Sequence, residues 1–529
     1  MTGYVLGIAI VIVLSIIAEK FSDKCGLPAL ILFMFIGMIF GSDGIFKIGF
    51  DDYSFAETAC SLALVFIMFY GGFNTKWSVA RPVAGKAITL STVGVVATAG
   101  ITALLCRLVL RMSFSESFLI GAVLSSTDAA SVFDVLRKKK LNLKDGTASL
   151  LEVESGSNDP VAFMLTVIAI SFFGVSGSKN IALMIVLQII VGILAGLAVS
   201  FVTVIITTKT NIVSDGLDTI FMIAMVLICY GLSSLLGGNA YLSLYIYGII
   251  AGNSRINNKQ RLIHFFDGVT NLSQILVFFL IGLLSFPSQM LQIIPTALFI
   301  VTVLTFVARP LTVYILMIPF KSSIRQCALI AWAGLRGASS CVFAIMAVAS
   351  GISVKQDLFH VVFMVTLISV SFQGGMLPFI SKKLCMVDDA EDVRKTFNDY
   401  QEENALSLMR MYIPKGHNWA DRKVKEVNMP HGSLAIMIKR GDESIITKGD
   451  TVIRPDDTVI LSVPPYFHTE DEKLEEITIM REHKWCGRMV GELGLTEDEL
   501  IALIIREDKN IIPDGKTVIN EGDKVVLYK

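Results

Sequence analysis

The run Glu154-Ser155-Gly156-Ser157-Asn158-Asp159-Pro160 sets carboxylate and amide side chains inside a stretch that is otherwise apolar from Ala148 to Phe173. A charge near the middle of a bilayer costs about 2.5 to 3.5 kcal/mol on insertion scales, so such a carboxylate faces a partner, water or an ion. Ser155 and Asp159 are one helical turn apart and Glu152 is two turns before Asp159, which puts the three on one helix face. Asn158 and Glu154 lie alongside. Pro160 removes a backbone donor and crowds the turn before it, loosening the helix beside the carboxylate. Chemistry of this kind belongs to a protein that moves something charged.

The apolar segment before it holds Ser125-Ser126-Thr127-Asp128-Ala129, a run of small hydroxyls and one acid in mid-span. This reads as a locally unwound helix, whose bare carbonyls and dipole ends coordinate ions near the midplane. Asp128 is placed to neutralise the positive N-terminal end of a facing half-helix. A second irregularity, Gly334-Leu335-Arg336-Gly337-Ala338-Ser339-Ser340, interrupts a later span. For Ser125, Ser126 and Ser339, helix packing explains the residue type as well as ion binding does. For Asp159 it does not, because of the cost of the charge.

The elements that must position these residues are membrane helices. Hydrophobic residues make up 53% of the chain and charged ones 17%, with a formal net charge of −1. Apolar runs give about thirteen spans, the fifth near 114–136, the sixth near 147–174, the long seventh near 181–208 and the twelfth near 325–350. Tyr4 to Ala18 reads as the first span, since no basic region precedes it and no small-residue cleavage site follows. If the seventh joins spans 1–6 to spans 8–13, the two interrupted spans occupy equivalent places in inverted halves, which is a sequence pointer to a transport site. Lys20 and Lys24, Lys76 and Arg81, Arg137 to Lys140, Arg255 to Arg261, Lys321 with Arg325, and Lys382 with Lys383 fall in alternate loops. Those loops are expected in the cytoplasm, with the N-terminus outside and the C-terminal tail inside. Arg107 and Arg111 are exceptions.

After Asp388 the composition becomes polar, and Trp419 to Val463 aligns without gaps onto Trp485 to Lys529. Arg422 pairs with Arg488, Glu426 with Glu492, Gly449 with Gly515, and Thr451-Val452-Ile453 with Thr517-Val518-Ile519. Such a constant offset marks an internal repeat. Short β-like segments between Gly, Asp and Pro turns predict two small α+β units. The expected organisation is a transmembrane domain over 1–386, a linker over 387–404 and regulatory units over 405–466 and 467–529. The fold class is thus an all-α polytopic membrane protein with two interrupted crossing helices, followed by a small cytoplasmic α+β tail.

Other chemistries find no support. Eight cysteines are scattered without a Cys-x-x-Cys pair, so neither a disulfide framework nor a zinc site is indicated. The six histidines are dispersed and take no role. The tail has no Gly-x-Gly-x-x-Gly loop, a nucleic-acid partner finds no support in a net charge of −1, and no cofactor is called for. An intramembrane aspartyl protease would use Asp128 and Asp159 as a proton-sharing pair, but Gly156-Ser157-Asn158-Asp159 replaces the expected Gly-x-Gly-Asp. A ligand-gated cation channel would need a filter such as Thr-Val-Gly-Tyr-Gly, which is missing.

Taken together, Thr127-Asp128, Glu154-Ser155-Gly156 leading to Asn158-Asp159, and Gly334-Leu335-Arg336-Gly337-Ala338 resemble the bacterial sodium- or potassium/proton antiporters of the cation:proton antiporter superfamily, in its electroneutral branch. The resemblance implies a transporter, not an enzyme. It implies that Asp159 alternately holds a cation or a proton, that Thr127 and Ser155 offer oxygens to the ion, that Asn158 hydrogen-bonds near Thr127, and that Glu154 pairs with Arg336. With Asn158 where the electrogenic branch has an aspartate, the implied exchange is one proton for one monovalent cation. Some relatives supply an acid from the third span, but Phe69-Tyr70-Gly71-Gly72-Phe73 contains none. The tail is similar to the C-terminal subdomain of proteins that regulate potassium conductance, through Ile511-Ile512-Pro513-Asp514-Gly515 and Glu521-Gly522-Asp523. That tilts the cation to potassium, with sodium as the alternative, and implies a tail that binds a small ligand, in relatives a cyclic dinucleotide. A homodimer is also implied.

Overall fold

The structure is a computed structural model describing residues 2–25, 28–139, 141–174, 180–209, 217–254, 256, 258–352, 354–388, 407–427, 429, 433–440, 443–463, 474–479, 483–493, 500–506, 509–511 and 513–528. Lys140, Arg255, Ile512 and most of the expected linker lie outside them. The chain divides into a membrane unit, Met1–Glu402, and a tail unit, Glu403–Lys529.

Seven described helices are long and apolar enough to cross a membrane: Tyr53–Asn74, Ala84–Val109, Ile181–Thr208, Asp218–Leu235, Lys259–Leu283, Pro287–Met317 and Leu358–Lys383. They are the third, fourth, seventh, eighth, tenth, eleventh and thirteenth spans of the sequence reading. Shorter or more polar helices fill the other places: Thr2–Cys25, Ala29–Phe40, the sixth span Thr147–Ser171 and the ninth span Ala240–Asn253. The fifth span is two half-helices, Phe114–Val123 and Ala129–Lys138, and the twelfth is Ile324–Trp332 and Ala338–Ala349.

Caps fix where these helices begin. Ser113 and Glu116 form a reciprocal capping box at the start of the fifth span, while Asp52, Ser323 and Asp357 each accept a backbone N–H at the starts of the third, twelfth and thirteenth.

Glycines set the closest helix approaches. A Cβ on Gly248 would meet the Phe69 carbonyl oxygen at 2.3 Å, and one on Gly37 would meet that of Phe279 at 2.2 Å. The first contact joins the ninth span to the third, and the second joins the second span to the tenth. These are equivalent seams in the two halves, and small residues are what allow membrane helices to pack so closely. The halves share a distortion as well, since π-helical turns widen the fourth span at Leu90–Gly94 and the eleventh at Leu304–Ala308. A third such turn, Ser369–Gly374, interrupts the thirteenth span.

Where the chain leaves the thirteenth span it forms a short antiparallel ladder with the loop between the fifth and sixth spans. Leu143 pairs with Val387, the Lys144 N–H donates to the Met386 carbonyl at 2.9 Å and the Asp388 N–H to that of Asn142 at 3.0 Å.

The tail contains two antiparallel four-stranded sheets of the same topology. Strands β1 (Ser407–Tyr412), β2 (Leu434–Arg440), β3 (Glu443–Ile446) and β4 (Thr458–Val463) run in the order β1-β4-β2-β3. Strands β5 (Leu474–Thr478), β6 (Leu500–Arg506), β7 (Lys509–Ile511) and β8 (Lys524–Tyr528) follow as β5-β8-β6-β7. Each central strand carries a bulge at the matching place, between Ala435 and Met437 and between Ile501 and Leu503. Ile438, Val459 and Leu461 build one core, and Trp485, Ile504 and Val525 the other. Among the described residues the helical part of each unit is one 3-10 turn, Val424–Glu426 or Val490–Glu492. An outer strand, β1 or β5, precedes each Trp-led stretch, so the repeat begins earlier than the gapless alignment.

Candidate functional site

The two helix breaks cross each other. The Asp128 N–H donates to the Leu335 carbonyl at 2.8 Å, locking one unwound strand against the other. The Asp128 side chain then serves two half-helices. It caps its own, accepting from the Ala130 N–H at 3.0 Å and the Ser131 hydroxyl at 2.5 Å. It also lies against Gly337, the residue that opens the second half of the twelfth span, where a Cβ would come within 2.3 Å of Oδ2. One carboxylate therefore faces two positive helix ends.

Arg336 meets the opposite pole. Its Nη1 donates to the carbonyls of Ser125 at 3.0 Å and Ser126 at 2.7 Å, at the negative C-terminal end of the first half of the fifth span. That placement corrects the pairing implied by resemblance. Glu154 is bound not by Arg336 but by Arg309, with Nη2 to Oε1 at 2.5 Å and both side chains buried. Arg309 directly follows the π-helical turn Leu304–Ala308, and such a turn changes the helix face on which the next residue emerges. Gly334 leaves the guanidinium its room, since a Cβ there would lie 2.9 Å from Arg309 Nε.

Asp159 lies one helical turn past Ser155 and is 6% exposed. The Ser126 hydroxyl donates to its Oδ1 and lies 3.0 Å from the Ser339 hydroxyl. Beside it, Asn158 Nδ2 donates to Thr127 Oγ1 at 2.6 Å. Ser155 donates to the Thr127 carbonyl at 2.8 Å and accepts from the Ala129 N–H at 2.9 Å, stitching the sixth span to the break.

A cavity of about 400 Å³ reaches this point, and Thr127, Asp128, Ser155, Asp159 and Ser339 form part of its wall. Asn158, Glu154 and Arg336 stand behind that wall. The opposite wall comes from the third and tenth spans. There Tyr70 donates to Asp267 at 3.1 Å, so an acid of the tenth span enters the cavity where the third span offers none.

Sequence reading missed two participants, Arg309 and Asp267, and left a third, Ser126, open. Arg309 could have been found as the one basic residue in the apolar run from Met290 to Ile318. Ser126 was seen but not separable from packing serines, and Asp267 had no signal linking it to Tyr70.

Comparison with known proteins agrees with this architecture. Residues 8–383 match the family described as sodium/hydrogen exchanger, transmembrane, and 408–465 and 474–528 match the TrkA-C domain. The K(+)/H(+) antiporter NhaP of Alkalimonas amylolytica is 30% identical over 507 residues, covering 94% of this chain and 88% of the relative. The K(+)/H(+) antiporter NhaP2 of Shewanella sp. strain MR-4 is 34% identical over 457 residues, covering 85% and 79%. The solved structure of the sodium proton antiporter MjNhaP1 from Methanocaldococcus jannaschii shares the fold, with a TM-score of 0.63 at 22% identity, covering 72% of this chain and 98% of that one. With the membrane unit matched nearly end to end, and relatives alike along most of its length, the chain belongs to the sodium/hydrogen exchanger family, multi-pass membrane transporters, and carries a TrkA-C tail.

Proposed function

We propose that this protein exchanges potassium for protons across the cell membrane, one for one, with Asp159 as the carrier. The observation that carries the reading is the Asp159 carboxylate in the wall of the cavity, hydrogen-bonded by Ser126 and with an amide, Asn158, as its neighbour. Desolvation favours the neutral form of a carboxyl group and a bound cation favours the charged one, so proton and cation compete for the same oxygens. A group that always leaves with one or the other couples the two fluxes without a second proton site.

Thr127 and Ser155 are the proposed oxygen donors to the ion, and Asn158 holds the Thr127 hydroxyl in place. Asp128 and Arg336 neutralise the bared half-helix ends, and Glu154, through Arg309, fixes the eleventh span to the sixth. The names of the Alkalimonas and Shewanella relatives and the tail support potassium. Sodium is the second reading, favoured by the name of the solved neighbour. The basic loops support a cytoplasmic tail and an outside N-terminus. Domain limits near 386, 404 and 466, a homodimer, and a small ligand on the tail, such as a cyclic dinucleotide, complete the proposal.

The test is proton flux in everted vesicles on adding potassium or sodium to the intact protein and to Asp159→Ala. Dissipation of the pH gradient by potassium, lost in the variant, is the expected result. A response to sodium alone replaces the ion, and no Asp159-dependent response to either ion ends the exchange reading.

A further inference from the structure

The route from Asp159 to the face of the membrane away from the cavity is closed by one layer of rings. One turn beyond Asp159 on the sixth span is Phe163, and one turn beyond Ser339 on the twelfth is Phe343. Their ring centroids are 5.9 Å apart. Tyr241, near the start of the ninth span, completes the layer at 4.9 Å from Phe163 and 6.3 Å from Phe343. Asn239 anchors that start by donating to the Pro160 carbonyl at 2.6 Å.

Above the layer stands an acid that the exchange cycle has not yet used. The Tyr241 hydroxyl lies beside Ser61, and Glu57, Tyr230 and Asp159 are within electrostatic reach of it. Ser61 in turn donates to Glu57 Oε1 at 3.1 Å. Glu57 is half-buried, and among the described residues no basic side chain pairs with it. Asn74, on the same third span, lines the cavity. The third-span lining runs from Asn74 up to Leu64, and Glu57 stands a further seven residues along that helix, about 10 Å at 1.5 Å per residue. The order from the site outward is Asp159, the ring layer, Ser61, Glu57.

We infer that Glu57, with the Ser61 hydroxyl, is the carboxylate that receives the transported cation on the face away from the cavity, with Tyr241 in the ring layer between it and Asp159. The inference rests on the exchange reading and deepens it. A cation leaving Asp159 outward loses one carboxylate partner and must shed or regain water. A second carboxylate just past the rings, uncommitted to any cation of the protein and already holding a hydroxyl beside it, supplies oxygens at that step. On the cavity side Asp267 and Asp128 already stand in the wall, so removal of Glu57 acts on one face alone.

The experiment compares everted and right-side-out vesicles holding the full-length protein, with protease access to the tail reporting which face is exposed. The probe is whichever of potassium or sodium the wild type exchanges. In Glu57→Gln the half-saturating ion concentration rises about fivefold or more at the face away from the cavity and stays within about twofold at the cavity face, a split that a merely structural role does not produce. Glu57→Asp restores it. Equal behaviour of the two faces, whether unchanged, raised or lost together, overturns the inference. Should Glu57→Gln fail to reach the membrane, Ser61→Ala must shift the same face in the same direction by about tenfold, since it removes one hydrogen bond to a charged group; equal faces again overturn it. A wild type that exchanges neither ion ends the antiport reading itself, before any variant is compared.

Discussion

Arg309 Nη2 lies 2.5 Å from Glu154 Oε1, with both side chains withdrawn from solvent, while Arg336 turns away to the carbonyls of Ser125 and Ser126. The two guanidinium groups buried among the described residues of the membrane unit thus have different tasks. Arg309 joins two helices, and Arg336 closes a helix end.

Removing one partner of a buried pair leaves the other charge stranded, at a cost of about 3 to 5 kcal/mol, whereas removing both is far milder. Arg309→Met and Glu154→Gln are each expected to lower the unfolding temperature sharply, and the double variant to recover part of the loss. The Glu154–Arg336 cycle should show weaker coupling than the Glu154–Arg309 cycle. Thermal unfolding in detergent measures all three, and equal coupling would contradict the assignment.

Ser126→Ala takes from Asp159 the hydroxyl that donates to it. A hydrogen bond to a charged group is worth about 1.5 kcal/mol or more, so the half-saturating cation concentration should move by about tenfold. Thr127→Val deprives Asn158 of its 2.6 Å acceptor instead and leaves the donor to Asp159 in place. Cation-driven proton flux at fixed pH separates the two.

Gly337 has extended backbone angles, φ −137° and ψ −151°, that any residue adopts. The objection to Gly337→Ala is steric, because the new methyl would fall on the Asp128 carboxylate. Overpacking of this kind costs about 1 to 3 kcal/mol, and here it would separate the crossed breaks. Exchange should drop by an order of magnitude or more, while Gly334→Ala, whose methyl would come no nearer than 2.9 Å to Arg309, costs less. Flux and unfolding temperature on the two variants test the ranking.

In the tail, Arg506 grips Asp523 with two bonds of 2.8 and 2.7 Å, and this fork holds the carboxyl below its ordinary value. A depressed carboxylate binds fewer protons folded than unfolded. Its contribution is therefore present above the unfolded value, near 4, and is lost as pH falls through the folded one. Strand β8 is expected to lose amide protection below about pH 4, and Arg506→Gln to flatten that dependence. Hydrogen exchange on the peptide 524–528 reads both. Arg440 and Asp457 repeat the fork in the first unit.

The spans, the two breaks and Asp159 were legible because the cost of polarity in a bilayer marks them along the chain. The Asn158–Thr127 contact came from resemblance, and the tail repeat from a constant offset. What escaped the sequence depends on which helix faces meet. The π-helical turn before Arg309 shifts its face without a signature in residue type, and nothing in the tenth span announces that Asp267 will stand against Tyr70. The gapless alignment missed β1 and β5 because outer strands need only alternate, and their side chains have drifted apart.

The ladder between residues 142–144 and 386–388 places the chain's exit from the membrane on the loop that joins the Asp128 half-helix to the Asp159 helix. That loop and that exit form one mechanical node. A shift of the sixth span along its axis pulls on Val387 as directly as on Leu143, and tension applied beyond Asp388 arrives first at the connection between the two acidic helices, not at the thirteenth span. The root of the tail is in effect a handle fixed to the joint between the crossed break and the Asp159 helix.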